Sequence, residues 1–68
     1  MNQPPAPKPV TVTVEIDHDT ALALAQFVKR VGWSEMRGCA VSTDETYEMR
    51  DGIDALQRAL ADAGYSPR

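Results

Sequence analysis

The chain has 68 residues, of which 7 are Lys or Arg and 10 are Asp or Glu, for a net charge of −3. This length allows one domain, and the acidic balance argues against bulk electrostatic binding of nucleic acid or of an anionic membrane. Its one cysteine cannot form an internal disulfide, and a core of this size rarely contributes more than about 3–5 kcal/mol. We therefore expect a dimer, because oligomer formation would supplement the core.

The first nine residues include four prolines and offer little to bury, which predicts an extended or disordered arm over residues 1–9. Residues 10–68 are expected to form the single folded domain. The chain has no apolar run near the length of about 18 residues that a membrane span needs, and no signal pattern at its start. These features predict a cytoplasmic protein that does not enter a membrane.

Residues 10–16 alternate between two classes of side chain, with β-branched apolar residues at every second position. This period and composition predict a β-strand. The chain offers no second alternating run, so we expect the strand to pair antiparallel with its own copy across a two-fold axis. The apolar face of this dimer strand would consist of Val10, Val12, Val14 and Ile16. The outward face would consist of Thr11, Thr13 and Glu15.

The first long helix is predicted over residues 17–31. Asp17 is a candidate N-cap, an apolar arc follows at helical spacing, and two cations precede a stop at Gly32. The next stretch, residues 33–42, is less regular because Gly38 interrupts any helix that begins there. We expect a short helical or irregular segment in this part of the chain.

The second long helix is predicted to begin at the capping box Ser42-Thr43-Asp44-Glu45, in which the hydroxyl and the carboxylate accept from free backbone N–H groups. Gly64 ends it. The predicted fold class is α+β, with one strand, two long helices and an intermolecular antiparallel two-stranded ribbon that forms the dimer. The apolar stripe of this helix consists of Met49, Ile53, Leu56, Leu60 and Ala63.

Three segments follow a known pattern, namely an alternating strand that ends in Asp, a helix that ends at Gly, and a Ser-Glu start to the next helix. They are Val12-Thr13-Val14-Glu15-Ile16-Asp17, Ala21-Leu22-Ala23-Leu24-Ala25 and Gly32-Trp33-Ser34-Glu35-Met36-Arg37. Through them, residues 10–37 resemble the ribbon-helix-helix fold of small dimeric DNA-binding regulators. The resemblance implies a dimer whose outward strand residues read the major groove. Residues 44–65 are similar to small uncharacterised proteins of proteobacteria and their phages, which implies a bacterial or phage accessory protein.

Residues that could carry chemistry are few. Asp17-His18-Asp19 contains ligand types that can share a divalent metal, although carboxylates at a helix start are also expected as caps. Cys39 is expected to be a small buried residue and not a nucleophile, since His18 is the single imidazole available. We expect no enzymatic activity, no cofactor and no bound metal, with a metal or small-ligand site at Asp17 and His18 as an alternative.

Trp, Tyr and Arg are the residue types that dominate protein interfaces. Trp33 and Arg37 are therefore candidates for a partner surface, together with the outward strand residues Thr11, Thr13 and Glu15. Tyr47, Arg50 and Tyr65 are of the same residue types, and packing of Trp33 and Tyr47 in the core is the alternative. The predicted function is that of a small acidic non-enzymatic homodimer that binds a protein partner of basic charge. Inhibition of that partner would be one consequence of the binding. The alternative is a dimeric transcriptional regulator with Thr11 and Thr13 in the major groove.

Overall fold

A computed structural model describes residues 9–67 of the chain. They contain three helices: α1 spans His18–Arg30, α2 spans Trp33–Cys39 and α3 spans Thr43–Asp62. The long helix α3 packs against both shorter helices. The arm predicted over residues 1–9 lies outside the described residues except for its last position.

The prediction of a strand over residues 10–16 is wrong, because residues 9–17 form neither strand nor helix. No strand occurs anywhere in residues 9–67, so the predicted α+β fold class and the ribbon between subunits are wrong as well. A strand requires a ladder of hydrogen bonds with a neighbour, and alternation in one segment does not supply that neighbour. The docking of Thr11 and Thr13 in a DNA groove depended on the ribbon and loses its structural basis.

The alternating segment nevertheless turns its apolar side toward the helices. Val12, Val14 and Ile16 line one groove together with side chains of α1 and α3. The exposed fraction falls from 84% at Val10 to 40% at Ile16, so the segment approaches the helical body as it nears α1. Glu15 also lines this groove, so the alternation predicted the direction of the apolar side chains but not that of Glu15. The helix side chains in this groove include Leu24, Leu56 and Leu60.

Helix α1 begins at the cap that the sequence predicts. The Asp17 carboxylate accepts a hydrogen bond from the backbone N–H of Thr20 at 2.7 Å, which satisfies one of the free donors of the first turn. Lys29 and Arg30 lie in the last turn, where cations interact favourably with the helix dipole. The helix predicted over residues 17–31 is thus confirmed, with its ends at His18 and Arg30.

Helix α2 is short and begins with half of a capping box. The Gly32 N–H donates to Oε1 of Glu35 at 2.8 Å, and glycine has no side chain for the reciprocal bond. The helix continues through Gly38 to Cys39. Met36 is its buried residue, whereas Cys39 is exposed. The predicted burial of Cys39 is therefore wrong, because α2 turns its Met36 side toward the core.

The start of α3 confirms the Ser42 half of the predicted capping box, whereas the Glu45 carboxylate binds a different N–H group from the predicted one. Ser42 Oγ accepts from the Glu45 N–H at 3.1 Å, and Glu45 Oε1 accepts from the Val41 N–H at 2.9 Å. The carboxylate thus reaches the residue before the cap. Thr46 adds a third bond, since its hydroxyl donates to the Ser42 carbonyl at 2.9 Å and its side chain is fully buried.

The end of α3 is a Schellman motif. The Gly64 N–H donates to the Ala61 carbonyl at 2.9 Å, and the Tyr65 N–H donates to the Leu60 carbonyl at 2.8 Å. Gly64 has a φ of 100°, a region that L side chains rarely adopt. The motif turns the chain so that Tyr65 packs back against the core cluster that contains Leu60.

The fully buried apolar core is small. Helix α1 contributes three of its residues, while α2 and α3 contribute one each. Two of the five are alanines, so they add little buried carbon. Large apolar side chains remain exposed on all three helices, which agrees with the expectation that this core alone stabilises the fold only marginally. The core residues are Ala21, Ala25, Val28, Met36 and Leu60.

Two glycine substitutions are expected to change stability in opposite directions. Gly64→Ala should lower the free energy of unfolding by about 1–2 kcal/mol, because an L side chain is strained at positive φ. Gly38→Ala should raise it by about 0.5–1 kcal/mol, since alanine loses less entropy in a helix and a Cβ at Gly38 meets no atom within 4 Å. Urea denaturation of the two variants measures both changes. An increase for Gly64→Ala would contradict the Schellman assignment, and a decrease for Gly38→Ala would contradict the unstrained helix at Gly38.

Candidate protein interface

Two aromatic side chains and one arginine stack against one another at the junction of α2 and α3, and the two aromatic residues stay about half exposed. The ring centroids of Trp33 and Tyr47 lie 4.8 Å apart with an interplanar angle of 62°, an edge-to-face pair. The guanidinium carbon of Arg50 lies 5.0 Å from the Tyr47 ring centroid, within cation–π distance. Trp33 is 40% exposed and Tyr47 is 47% exposed. We call these three residues the aromatic patch.

Local structure brings the aromatic patch together. Tyr47 and Arg50 are three residues apart on α3 and are therefore neighbours on its surface. Trp33 is the first residue of α2, and the short connection from Cys39 to Thr43 folds α2 back against α3. The buried side chain of Met36, one turn after Trp33, holds α2 in this position.

The contacts within the patch order its side chains without burying them. An edge-to-face aromatic pair contributes about 0.5–1.5 kcal/mol beyond the area that it buries, and an exposed cation–π contact contributes about 0.5–1 kcal/mol. Such contacts restrict the rotamers of side chains that still present their surfaces to solvent. Side chains that are ordered in advance lose less conformational entropy when a partner binds.

The surface of α3 around the patch is acidic. The helix carries six carboxylates and two arginines, for a net charge of −4. Asp51 and Asp54 follow Tyr47 at four and seven residues, so they lie on the same side of the helix, and both are exposed. Arg50 and Arg58 are the two cations of the helix, and Arg58 follows Asp54 by four residues on the same side.

The structure brings Trp33 into the patch but gives its predicted neighbour Arg37 a different contact. Arg37 Nη1 donates to the Ala40 carbonyl at 3.2 Å, so it closes the C-terminal end of α2. The cation that stacks on the aromatic pair is Arg50. The sequence marks Tyr47 and Arg50 as interface residue types, but sequence reasoning did not place them beside Trp33, although an aromatic residue and a cation three apart on a predicted helix are a usable signal.

The outward residues of the alternating segment lie far from the aromatic patch. Thr11, Thr13 and Glu15 are exposed, and their segment borders the C-terminal part of α3, near Leu60. Tyr47 lies in the N-terminal part of the same helix, about 20 Å away along its axis. The structure therefore does not unite the two predicted partner surfaces into one site.

At the start of α1, Asp17 makes a local contact and His18 makes a long-range one. Hydrogen bonds from the Thr20 side chain and backbone hold the pKa of Asp17 below its usual range. Nδ1 of His18 lies 2.8 Å from the hydroxyl oxygen of Tyr65, and the two rings are 5.6 Å apart. Within residues 9–67 no three His, Cys, Asp or Glu side chains come together as metal ligands would. These contacts join α1 to the chain after α3.

The described residues thus define a small three-helix protein with an exposed aromatic patch. Over residues 1–68 the chain matches the model of a family of unknown function, DUF7706, and it belongs to that family. No curated protein and no solved structure matches it. In the part of the chain that the structure describes, no helix has the length and apolar character needed to cross a bilayer.

Proposed function

We propose that this protein is a non-enzymatic binding protein that acts as a homodimer, and that the aromatic patch holds its protein partner. The observation that carries the proposal is the stack of Trp33, Tyr47 and Arg50, which is ordered by its own contacts and yet half exposed. These three residue types are the ones enriched among interface residues that carry most of the binding energy.

The charge around the patch indicates the chemistry of the partner. With a net charge of −4 on α3, a basic protein surface would approach faster and in a more defined orientation than an acidic one. Arg50 would then face a carboxylate or carbonyl of the partner, while Asp51 and Asp54 would face its cations. Such an interface should weaken as salt concentration rises.

The test compares wild type with Tyr47→Ala and with the control Leu22→Ala, which changes an exposed leucine on α1. Each protein is immobilised and used to capture partners from an extract of the native host. The captured protein is then purified and titrated against each of the three. Tyr47→Ala should weaken that binding about 30-fold, the effect of losing an interface residue worth about 2 kcal/mol. Leu22→Ala should bind as wild type does.

Circular dichroism first establishes that both variants are folded. If Tyr47→Ala binds every purified candidate partner as tightly as wild type does, the aromatic patch is not the binding site. If the captured proteins are acidic and their binding is insensitive to salt, the assignment of a basic partner is wrong.

A further inference from the structure

An apolar groove lies on the other side of α3 from Tyr47. It has a volume of about 510 Å³ and runs between all three helices. Two of its α3 residues, Met49 and Ile53, lie about 200° and 240° around the helix from Tyr47. Arg50 is three residues before Ile53 and borders the groove, so a partner in this groove leaves Tyr47 free and lies beside Arg50. We call it the Phe27 groove; its lining is Phe27, Val31, Glu35, Met36, Cys39, Met49, Gly52, Ile53 and Leu56.

Phe27 itself stands at the edge of this groove. It is 57% exposed, more than any other large apolar side chain on the helices of the described region. Leaving most of a phenylalanine in water forfeits much of the roughly 1.5–3 kcal/mol that its burial would provide. The two methionines in the lining have flexible side chains that adapt to an inserted ring. The groove thus presents a projecting ring next to a deformable apolar cleft.

The charges beside Phe27 suit a second copy of the same chain. Arg30 and Glu35 border Phe27 together, one a cation and the other an anion. In a two-fold interface, if residue i of one copy contacts residue j of the other, then residue j of the first copy contacts residue i of the second. Arg30 of one copy can then face Glu35 of the partner subunit on both sides of the axis, so that one surface supplies both halves of each charge pair.

We propose that a second copy of this chain covers the Phe27 groove about a two-fold axis, with Phe27 of each copy inserted into the groove of the other. This inference rests on the homodimer of the proposed function and names its interface. It replaces the strand ribbon as the contact between subunits, and it leaves Tyr47 of both copies facing outward.

The first measurement is sedimentation equilibrium of the full chain, with Phe27→Gln compared with the control Leu22→Gln. Both substitutions place a helix-compatible polar residue at an exposed apolar position of α1. Phe27→Gln should raise the dimer dissociation constant at least tenfold, and Leu22→Gln should leave it unchanged. A wild-type chain that stays monomeric up to about 1 mM, or a Phe27→Gln variant that dimerises like wild type, overturns the proposal.

The second measurement uses the single cysteine as a probe, because Cys39 lines the groove and is exposed in the single chain. Its alkylation rate should fall as wild-type protein is concentrated, and should not change with the concentration of Phe27→Gln. A dimer in which Cys39 reacts at a constant rate uses another surface. Because Tyr47→Ala should keep the dimer and Phe27→Gln should keep the patch, failure of the interface and failure of partner binding are distinguishable.

Discussion

Leu60→Ala is expected to leave most of the chain unfolded. Leu60 is one of five buried apolar residues and packs with Ala25 and Val28 at the contact between α1 and α3. Removing a buried leucine side chain costs about 2–5 kcal/mol, whereas a core of this size supplies only about 3–5 kcal/mol. The helical circular dichroism signal of the variant should therefore be far below that of wild type at room temperature, and urea should produce little further unfolding.

The matched control is Leu22→Ala, the same change at a position of α1 that is 44% exposed. Its free energy of unfolding should stay within about 0.5 kcal/mol of wild type. Both variants are measured at one chain concentration, because association of subunits would make stability depend on concentration. Equal stability of the two variants would show that the α1–α3 contact does not contribute as the structure indicates.

The helices were predictable because their signals are local. The carboxylate of Asp17, the capping box at Ser42 and the stop at Gly64 each act within a few residues, and the structure has a helix end at each. The strand over residues 10–16 was not predictable in the same way. Alternation specifies a preference for extended backbone and an apolar face, but a strand also needs a partner from elsewhere, and the apolar face packs toward α1 and α3 instead.

The candidate interface was predictable only in part for the same reason. Trp33 stood out by residue type and by its place after a helix stop, whereas its contact with Tyr47 depends on how the connection after Cys39 folds α2 against α3. The exposure of Cys39 depends on the same packing. Arg37 was chosen by residue type, but its guanidinium donates to the Ala40 carbonyl at the end of its own helix.

Ala25→Asp is expected to abolish folding by a different mechanism. Ala25 is 1% exposed and belongs to the cluster formed with Val28 and Leu60. A carboxylate at this position would be buried among apolar groups, and an unpaired buried charge costs about 3–5 kcal/mol or more. Protonation removes that charge, so the variant should regain part of its helical signal when the pH falls below the pKa of the introduced carboxyl, which burial raises.

The control is Ala23→Asp, the same substitution two residues earlier on α1 at an exposed position. The helix-propensity cost of aspartate, at most about 0.7 kcal/mol, is common to both variants, so the difference between them isolates burial. Circular dichroism at neutral and acidic pH should show a folded Ala23→Asp variant and an unfolded Ala25→Asp variant at neutral pH. A folded Ala25→Asp variant would mean that α1 does not turn this face toward α3, and the groove at Phe27 would then need a different set of walls.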